Sequence, residues 1–292
     1  MASGVNRVPA LLVLAAATAV SQSFGRFTYS VLYTEIRDDF GLSNTAAGGI
    51  GSLNLVGYLF GSLVVAFGIG RLGLVRTARC GLGGVTIGLT LLAWSPTAAV
   101  VALALLITGI AASGVWVAAP ALATNILGPT RQGAAIGWVS AGVGAGFVAA
   151  CIFDVVMDDW RSVYGTEMLM GAACLSLLFL AVKGSSSVTF AKSPSPKILR
   201  QIPGWLNLSA TYGIFGIGAS LATTFTIALL EEDAGHGSHS ASLIYSLIGV
   251  GMVIGAYLMG WLNDRIGRSS TQLVSLAVMA ASCGTISTGH GL

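Results

Sequence analysis

Gly260-Trp261-Leu262-Asn263-Asp264-Arg265-Ile266-Gly267-Arg268 is a short polar stretch joining two apolar segments, 241–262 and 271–288. It reads G-x-x-x-D-R-x-G-R. The leading glycine lets two helices cross closely. Asp264 can cap a helix start or pair with an arginine of a neighbouring helix. The basic residues hold the loop at a water-facing surface. A near copy, Ala66-Phe67-Gly68-Ile69-Gly70-Arg71-Leu72-Gly73, lies 194 residues earlier (71 to 265, 73 to 267). It keeps Arg71 and Gly73 but has Gly70 where the later copy has Asp264. A weaker pair, Phe24-Gly25 and Phe215-Gly216, is offset by 191 residues (24 to 215). Similar offsets are what two parallel repeats produce.

The surrounding sequence is a membrane sequence. Of 292 residues, 54% are hydrophobic and 9% are charged, and the mean hydropathy is +0.84. A soluble domain carries roughly 25% charged residues, so this composition excludes one. Glycine, at 40 residues, is about twice its ordinary share, as close-packed membrane helices require. A span needs about 20 mostly apolar residues. Nine segments qualify: 9–33, 46–70, 77–95, 98–122, 132–156, 163–183, 204–229, 241–262 and 271–288. One long polar connection, 184–203, is rich in Ser, Pro and Lys and reads as a solvated linker. It divides the chain into a six-helix bundle, 1–183, and a three-helix segment, 204–292. Arg7 and the apolar run after it resemble a signal peptide, but apolar sequence continues past Val20, so the first segment reads as a retained span.

Charge placement sets the topology. With the N-terminus cytoplasmic, Arg7, Arg71, Arg76, Arg79, Arg131, Lys183, Lys192, Lys197, Arg200, Arg265 and Arg268 all fall inside, and only Arg37 and Arg161 fall outside. That obeys the positive-inside rule. The acids Glu35, Asp38, Asp39, Asp158, Asp159, Glu231, Glu232 and Asp233 lie outside and Asp264 inside. The expected location is the inner membrane, multi-pass.

Arg26 lies within the first span. A buried arginine costs about 2.5–3.5 kcal/mol on insertion scales, so it should face protein or a watery cavity. Gln22, Ser23, Arg26, Tyr29, Ser30 and Tyr33 recur every three or four residues and should share one face. That stripe reads as a cavity lining with Arg26 as an anion hook. The competing reading is a structural arginine that bonds helix-end carbonyls or snorkels outward. Asn54, Tyr58 and Ser62 repeat the pattern, and Trp116, Trp138, Asn207, Thr211 and Tyr212 add further polar or aromatic candidates. Each alone reads equally as packing or an interhelical hydrogen bond.

The nine spans and the two loop motifs resemble the major facilitator superfamily, whose loop between the second and third helix of each half carries this pattern. Ser23-Phe24-Gly25-Arg26-Phe27-Thr28-Tyr29 and Gly51-Ser52-Leu53-Asn54-Leu55-Val56-Gly57-Tyr58 look like the bacterial YbfB/YjiJ-type branch. The resemblance implies an all-α membrane fold of two six-helix bundles that rock about a central site. It implies a solute pathway lined by Gln22, Arg26, Tyr29, Tyr33, Asn54, Tyr58, Trp116, Trp138, Asn207 and Tyr212. It also implies a cytoplasmic gate of Arg71, Gly73, Gly260, Asp264, Arg265, Gly267 and Arg268. Twelve helices are implied and nine are present, so the expectation is a complete first bundle and three helices of the second, with apolar faces exposed.

The implied function is secondary active transport of a small, anionic solute, with a coupling ion as a further partner. The rivals are a non-transporting receptor or scaffold, an inactive fragment, and a membrane-embedded enzyme, which should show clustered His or acids within the spans. The fifth span is glycine-dense at Gly133, Gly137, Gly142, Gly144 and Gly146, and Gly57/Gly61, Gly84/Gly88 and Gly251/Gly255 are further small-residue pairs. The fifth span lacks the Gly-Pro step of the family's antiporters, and the fourth lacks a basic residue that many proton-coupled members carry. Asp154 and Glu167 lie near the outer ends of their spans, which leaves no deep carboxylate for a proton relay. No cofactor, metal or nucleic-acid site is expected: the four cysteines lack ligand spacing, and His236 and His239 lie in an outer Gly/Ser loop.

Overall fold

The computed structural model describes residues 7–182, 203–233, 235 and 237–288. The linker 184–203 lies, but for its last residue, outside them. The described residues form helices and turns, with no strand among them. Helix α1 runs through three continuous stretches, Arg7–Thr18, Ala19–Phe27 and Thr28–Val31, and a short helix, Tyr33–Asp39, follows it. The rest are α2 (Asn44–Leu72), α3 (Leu74–Ala93), α4 (Ala98–Leu127), α5 (Gln132–Val156), α6 (Trp160–Ala181), α7 (Trp205–Ala228), α8 (Ser238–Ile266) and α9 (Arg268–Thr288). Among the described residues, six helices are long and apolar enough to cross a membrane: α1, α2, α4, α5, α6 and α8. Helix α3 carries Arg76 and Arg79 in its first turns. There Arg79 donates to the carbonyl of Val182 at 2.9 Å and stacks on Phe179, closing the end of α6.

Local chemistry sets the helix ends. Ser43 accepts from the Ala46 amide at the start of α2, and Asp159 accepts from the Arg161 and Ser162 amides at the start of α6. Helices α2 and α8 both end on a glycine in the left-handed region, Gly73 at φ 78° and Gly267 at φ 82°. In both, the threonine four residues on, Thr77 or Thr271, donates its hydroxyl back to that glycine's carbonyl. The two loop motifs are therefore copies in backbone as well as in sequence.

Helices α1 to α6 pack through small residues. Gly57 and Gly61 of α2 sit against the backbone of α4, where an added Cβ would lie 2.4 Å from the carbonyl oxygens of Leu106 and Ile110. Among the described residues the most extensive contact joins α5 to α8. Its seam is backbone on backbone: a Cβ on Gly137 would lie 2.5 Å from the Ala256 oxygen, on Gly144 2.6 Å from the Gly249 oxygen, and on Gly260 2.6 Å from the Gly133 oxygen. The other face of α5 uses Gly142 and Gly146 in the same way against Ala15 and Ala19 of α1. The expected pair Gly251/Gly255 takes no part, since among the described residues nothing lies within 4 Å of a Cβ added at either; Gly249 and Gly260 are the α8 glycines that meet α5. The apolar faces of α2 (Leu59, Phe60, Leu63, Val64, Phe67) and α9 (Leu273, Val278) are exposed, as hydrocarbon-facing surfaces are.

Gly137→Ala is expected to destabilise the chain by about 1–3 kcal/mol through overpacking at the seam. Gly251→Ala, at an open position, is expected to leave stability unchanged or slightly raised. Thermal unfolding of both variants in detergent checks the contrast.

Candidate functional site

The first span is not a regular α-helix. Its Ala19–Phe27 stretch is widened to a π-helix, a form often found at functional sites. Side chains near it bond to neighbouring helices. Thr18 donates to the carbonyl of Val139 at 2.7 Å, and Ser23 to that of Val143 at 2.6 Å, both on α5. Gln22 donates to the carbonyl of Ala112 on α4 at 3.1 Å. Widening the turn splays the expected polar stripe. Gln22 turns to α4, Ser23 turns to α5, and Tyr29 and Tyr33 turn to α2.

Four of the ten pathway candidates are buried ties between elements. Besides Gln22, Tyr29 donates to the carbonyl of Ala47 at 2.8 Å, and Tyr33 to that of Asn44 at 3.0 Å. The Asn54 amide reaches the carbonyls of Gly25 at 2.9 Å and Leu105 at 3.0 Å and the hydroxyl of Thr108 at 2.9 Å, binding α1, α2 and α4 together. These donors are already spent within the protein, while the Asn54 Oδ1 is buried with no hydrogen-bond partner among the described residues. Trp138 is exposed on α5 and lines an apolar pocket of about 300 Å³ with Val8, Tyr257 and Trp261, near the loop-motif end. Asn207 is exposed on α7, and Trp116 is half-buried on α4. The side chain of Tyr212 lies outside the described residues.

Arg26 and Tyr58 come together. The Arg26 guanidinium is 4.8 Å from the centre of the Tyr58 ring and 5.4 Å from that of Phe27, a cation–π arrangement. Phe27 meets Phe147 of α5 at 5.8 Å, and Phe147 meets Tyr245 of α8 at 4.9 Å. An aromatic row therefore leads from Arg26 across α5 to α8.

The later loop motif forms a clamp. The Asp264 carboxylate accepts from the Gly133 amide at 2.7 Å and the Ala134 amide at 2.8 Å, at the first turn of α5. Those amides have no partner within the helix, and the helix dipole favours an anion there. Arg268 donates to Gln132 at the same turn, and Arg265 stacks on Trp261 at 4.0 Å. A pocket of about 510 Å³ opens beside the clamp between α5, α8 and α9. In the earlier copy Arg71 is exposed, and Gly70 offers no carboxylate.

A second bridge stands at the opposite end. Arg37, after α1, donates to Asp38 at 2.7 Å, to the side chain of Asn44 at 2.8 Å, and to Glu232 after α7. Close by, Glu35 is raised from its ordinary value to about 7, first by partial burial and then by Asp154, Glu231 and Asp159. Ser242 of α8 donates to Asp154 of α5. The α5–α8 seam is thus tied at both ends. Sequence reasoning named Asp264 and Arg268 but not their partners, because helix-end amides carry no residue signature. It also missed the Arg37–Glu232 bridge, which joins positions 195 residues apart.

A family model described as Major Facilitator Superfamily matches residues 15–292. No curated protein matches the sequence. Among solved structures, a proton:xylose symporter of that superfamily, XylE, bound to 6-bromo-6-deoxy-D-glucose, is similar with a TM-score of 0.67 at 16% identity, over 90% of this chain and 70% of that one. A D-xylose-proton symporter gives 0.61 at 15%, over 88% and 69%. The partially occluded, inward-open form of XylE from E. coli gives 0.54 at 17%, over 98% and 74%.

Asn54→Leu leaves the Gly25 and Leu105 carbonyls without the amide, so a loss of about 1–3 kcal/mol is expected, seen as a lower unfolding temperature with no solute present. Glu35 holds its proton more tightly folded than unfolded. Its contribution is therefore complete below the ordinary carboxylate range and is lost as pH rises through about 7. Thermal stability should fall across that window in the wild type, and Glu35→Gln should flatten the fall.

Proposed function

Because the chain belongs to the Major Facilitator Superfamily, we propose that it moves a small anionic solute across the inner membrane by alternating access. Members of this family are transporters, and the chain is a multi-pass membrane protein of the secondary active class. Its finer reading rests on one observation. The two arms of the protein, α1–α6 and α7–α9, are bridged at both ends by polar contacts that can break, and between those ends they meet on a glycine seam that can slide. We read residues 1–183 as the first bundle, 184–203 as the linker, and 204–292 as the part of the second bundle present here.

The Asp264 clamp is the cytoplasmic gate, with the N-terminus on the same side. It consists of two charge-assisted hydrogen bonds to helix-end amides, each stronger than a neutral bond yet reversible. The Arg37–Glu232 bridge closes the outer side. Opening one while holding the other exposes the interior to one compartment at a time. Arg26 supplies the positive charge for the solute, with Tyr58 orienting its guanidinium and Trp116 and Asn207 on flanking helices. Gln22, Tyr29, Tyr33 and Asn54 support this pathway as the frame that fixes α1. A planar guanidinium held against an aromatic face suits a carboxylate, which it can grip with two parallel hydrogen bonds.

Uptake of a panel of radiolabelled mono- and dicarboxylates into proteoliposomes tests this reading. At least one should accumulate with the wild type. Arg26→Ala should reduce its uptake at least about tenfold, the effect of losing roughly 1.4 kcal/mol of binding. Undiminished uptake by Arg26→Ala would remove that residue from the solute site.

A further inference from the structure

Glu167 of α6 is fully buried, with 0% of its surface exposed. It lies seven residues after Trp160, the first residue of α6, or about 10 Å along the helix, inside a hydrocarbon layer about 30 Å thick. One carboxylate oxygen lies 2.6 Å from the hydroxyl of Thr28 on α1, and the other has no hydrogen-bond partner. One turn away on the same helix face, the hydroxyl of Tyr164, also fully buried, has none either. No ion pair among the described residues includes Glu167. The titratable groups around it are phenols: Tyr164 of α6, and Tyr29 of α1, which faces Tyr164. No charged side chain of α1 or α6 acts on it among the described residues.

An ionised carboxylate in this place, with one neutral donor and no cation, costs several kcal/mol. The uncharged acid avoids that cost. The position of Thr28 converts the proton into a structural signal. Its hydroxyl has one hydrogen and two acceptors in reach, Glu167 at 2.6 Å and the carbonyl of Ser23 at 3.3 Å. When Glu167 carries the proton, the acid donates to the Thr28 oxygen, and Thr28 passes its own hydrogen to Ser23. When Glu167 gives the proton up, the Thr28 hydrogen turns to the carboxylate. The Ser23 carbonyl then loses the hydroxyl and keeps the backbone amide of Thr28. This choice falls at the last turn of the π-helical stretch, next to Arg26, and Ser23 is itself tied to α5.

We propose that Glu167 is the proton-carrying carboxylate of this chain, and that its protonation state sets the conformation of the Arg26-bearing segment of α1 through Thr28. The proposal rests on the transport reading for its purpose, but its chemistry is testable without a solute. A hydronium ion of one compartment gives its proton to a Glu167 oxygen when the interior faces that side, and the acid returns it to a water molecule when the interior faces the other, so that in each step one O–H bond forms as another breaks.

Infrared difference spectroscopy on the full chain in lipid, perfused from mildly acidic to alkaline buffer, reads this group directly. At neutral pH the wild type should show the carbonyl stretch of a protonated carboxylic acid, shifted in heavy water. The band should be lost reversibly in alkali and absent from Glu167→Gln. Thr28→Val, which keeps the side chain's shape but not its hydroxyl, should move the band without abolishing it, and this identifies the group if Glu167→Gln does not fold. Amide exchange over residues 19–28 should change at the same midpoint in the wild type but not in Glu167→Gln. A band that never forms, one that persists unchanged in strong alkali, or an exchange profile indifferent to pH would overturn the proposal. Failure of the whole carboxylate panel to accumulate would sink the transport reading and leave this titration standing.

Discussion

The organisation of the chain depends on two backbones touching. Helices α5 and α8 approach until the carbonyl oxygens of one would collide with any side chain on the other, at Gly133, Gly137 and Gly144 against Gly249, Ala256 and Gly260. In hydrocarbon there is little solvophobic drive to hold helices together, so van der Waals fit and polar ties decide their association. Here the fit is a smooth strip, and the ties sit at its ends: Asp264 on the first amides of α5, Ser242 on Asp154 near the last turn. A smooth strip resists separation more than it resists sliding. The end contacts therefore determine which relative position of the helices is stable.

The architecture was legible because the bilayer imposes it. Nine apolar segments and a loop motif repeated with a similar offset are one-dimensional signals; each segment is a helix among the described residues, six of them long and apolar enough to cross a membrane, and the motif survives as a turn on a positive-φ glycine. The shared Gly–Thr turn at 73–77 and 267–271 could have been read as well, since both pairs lie at the same offset. The α5 glycines were legible as a seam, but the wrong α8 pair was named. Spacing alone does not say which face of α8 meets α5.

The interior was less legible, for a specific reason. The expected polar face assumed one angular step per residue along α1, and the π-helical turn at Ala19–Phe27 breaks that step. Gln22, Tyr29 and Tyr33 therefore leave the face that Arg26 occupies and spend their donors on carbonyls of α4 and of the first turn of α2. Glu167 was placed near a membrane surface by counting from the end of its span, yet the packing of α1 over α6 seals it completely. Depth along a helix can be counted in a sequence; which neighbour covers a side chain cannot.

The claim that the α5 clamp must open for the chain to act is tested most directly by locking it. Gln132→Cys and Arg268→Cys replace side chains that touch across the clamp, in a background where the exposed Cys80 is serine. Oxidation should join them, abolish carboxylate uptake into proteoliposomes, and allow its full return on reduction. Uptake that continues at an undiminished rate in fully cross-linked protein would contradict the account.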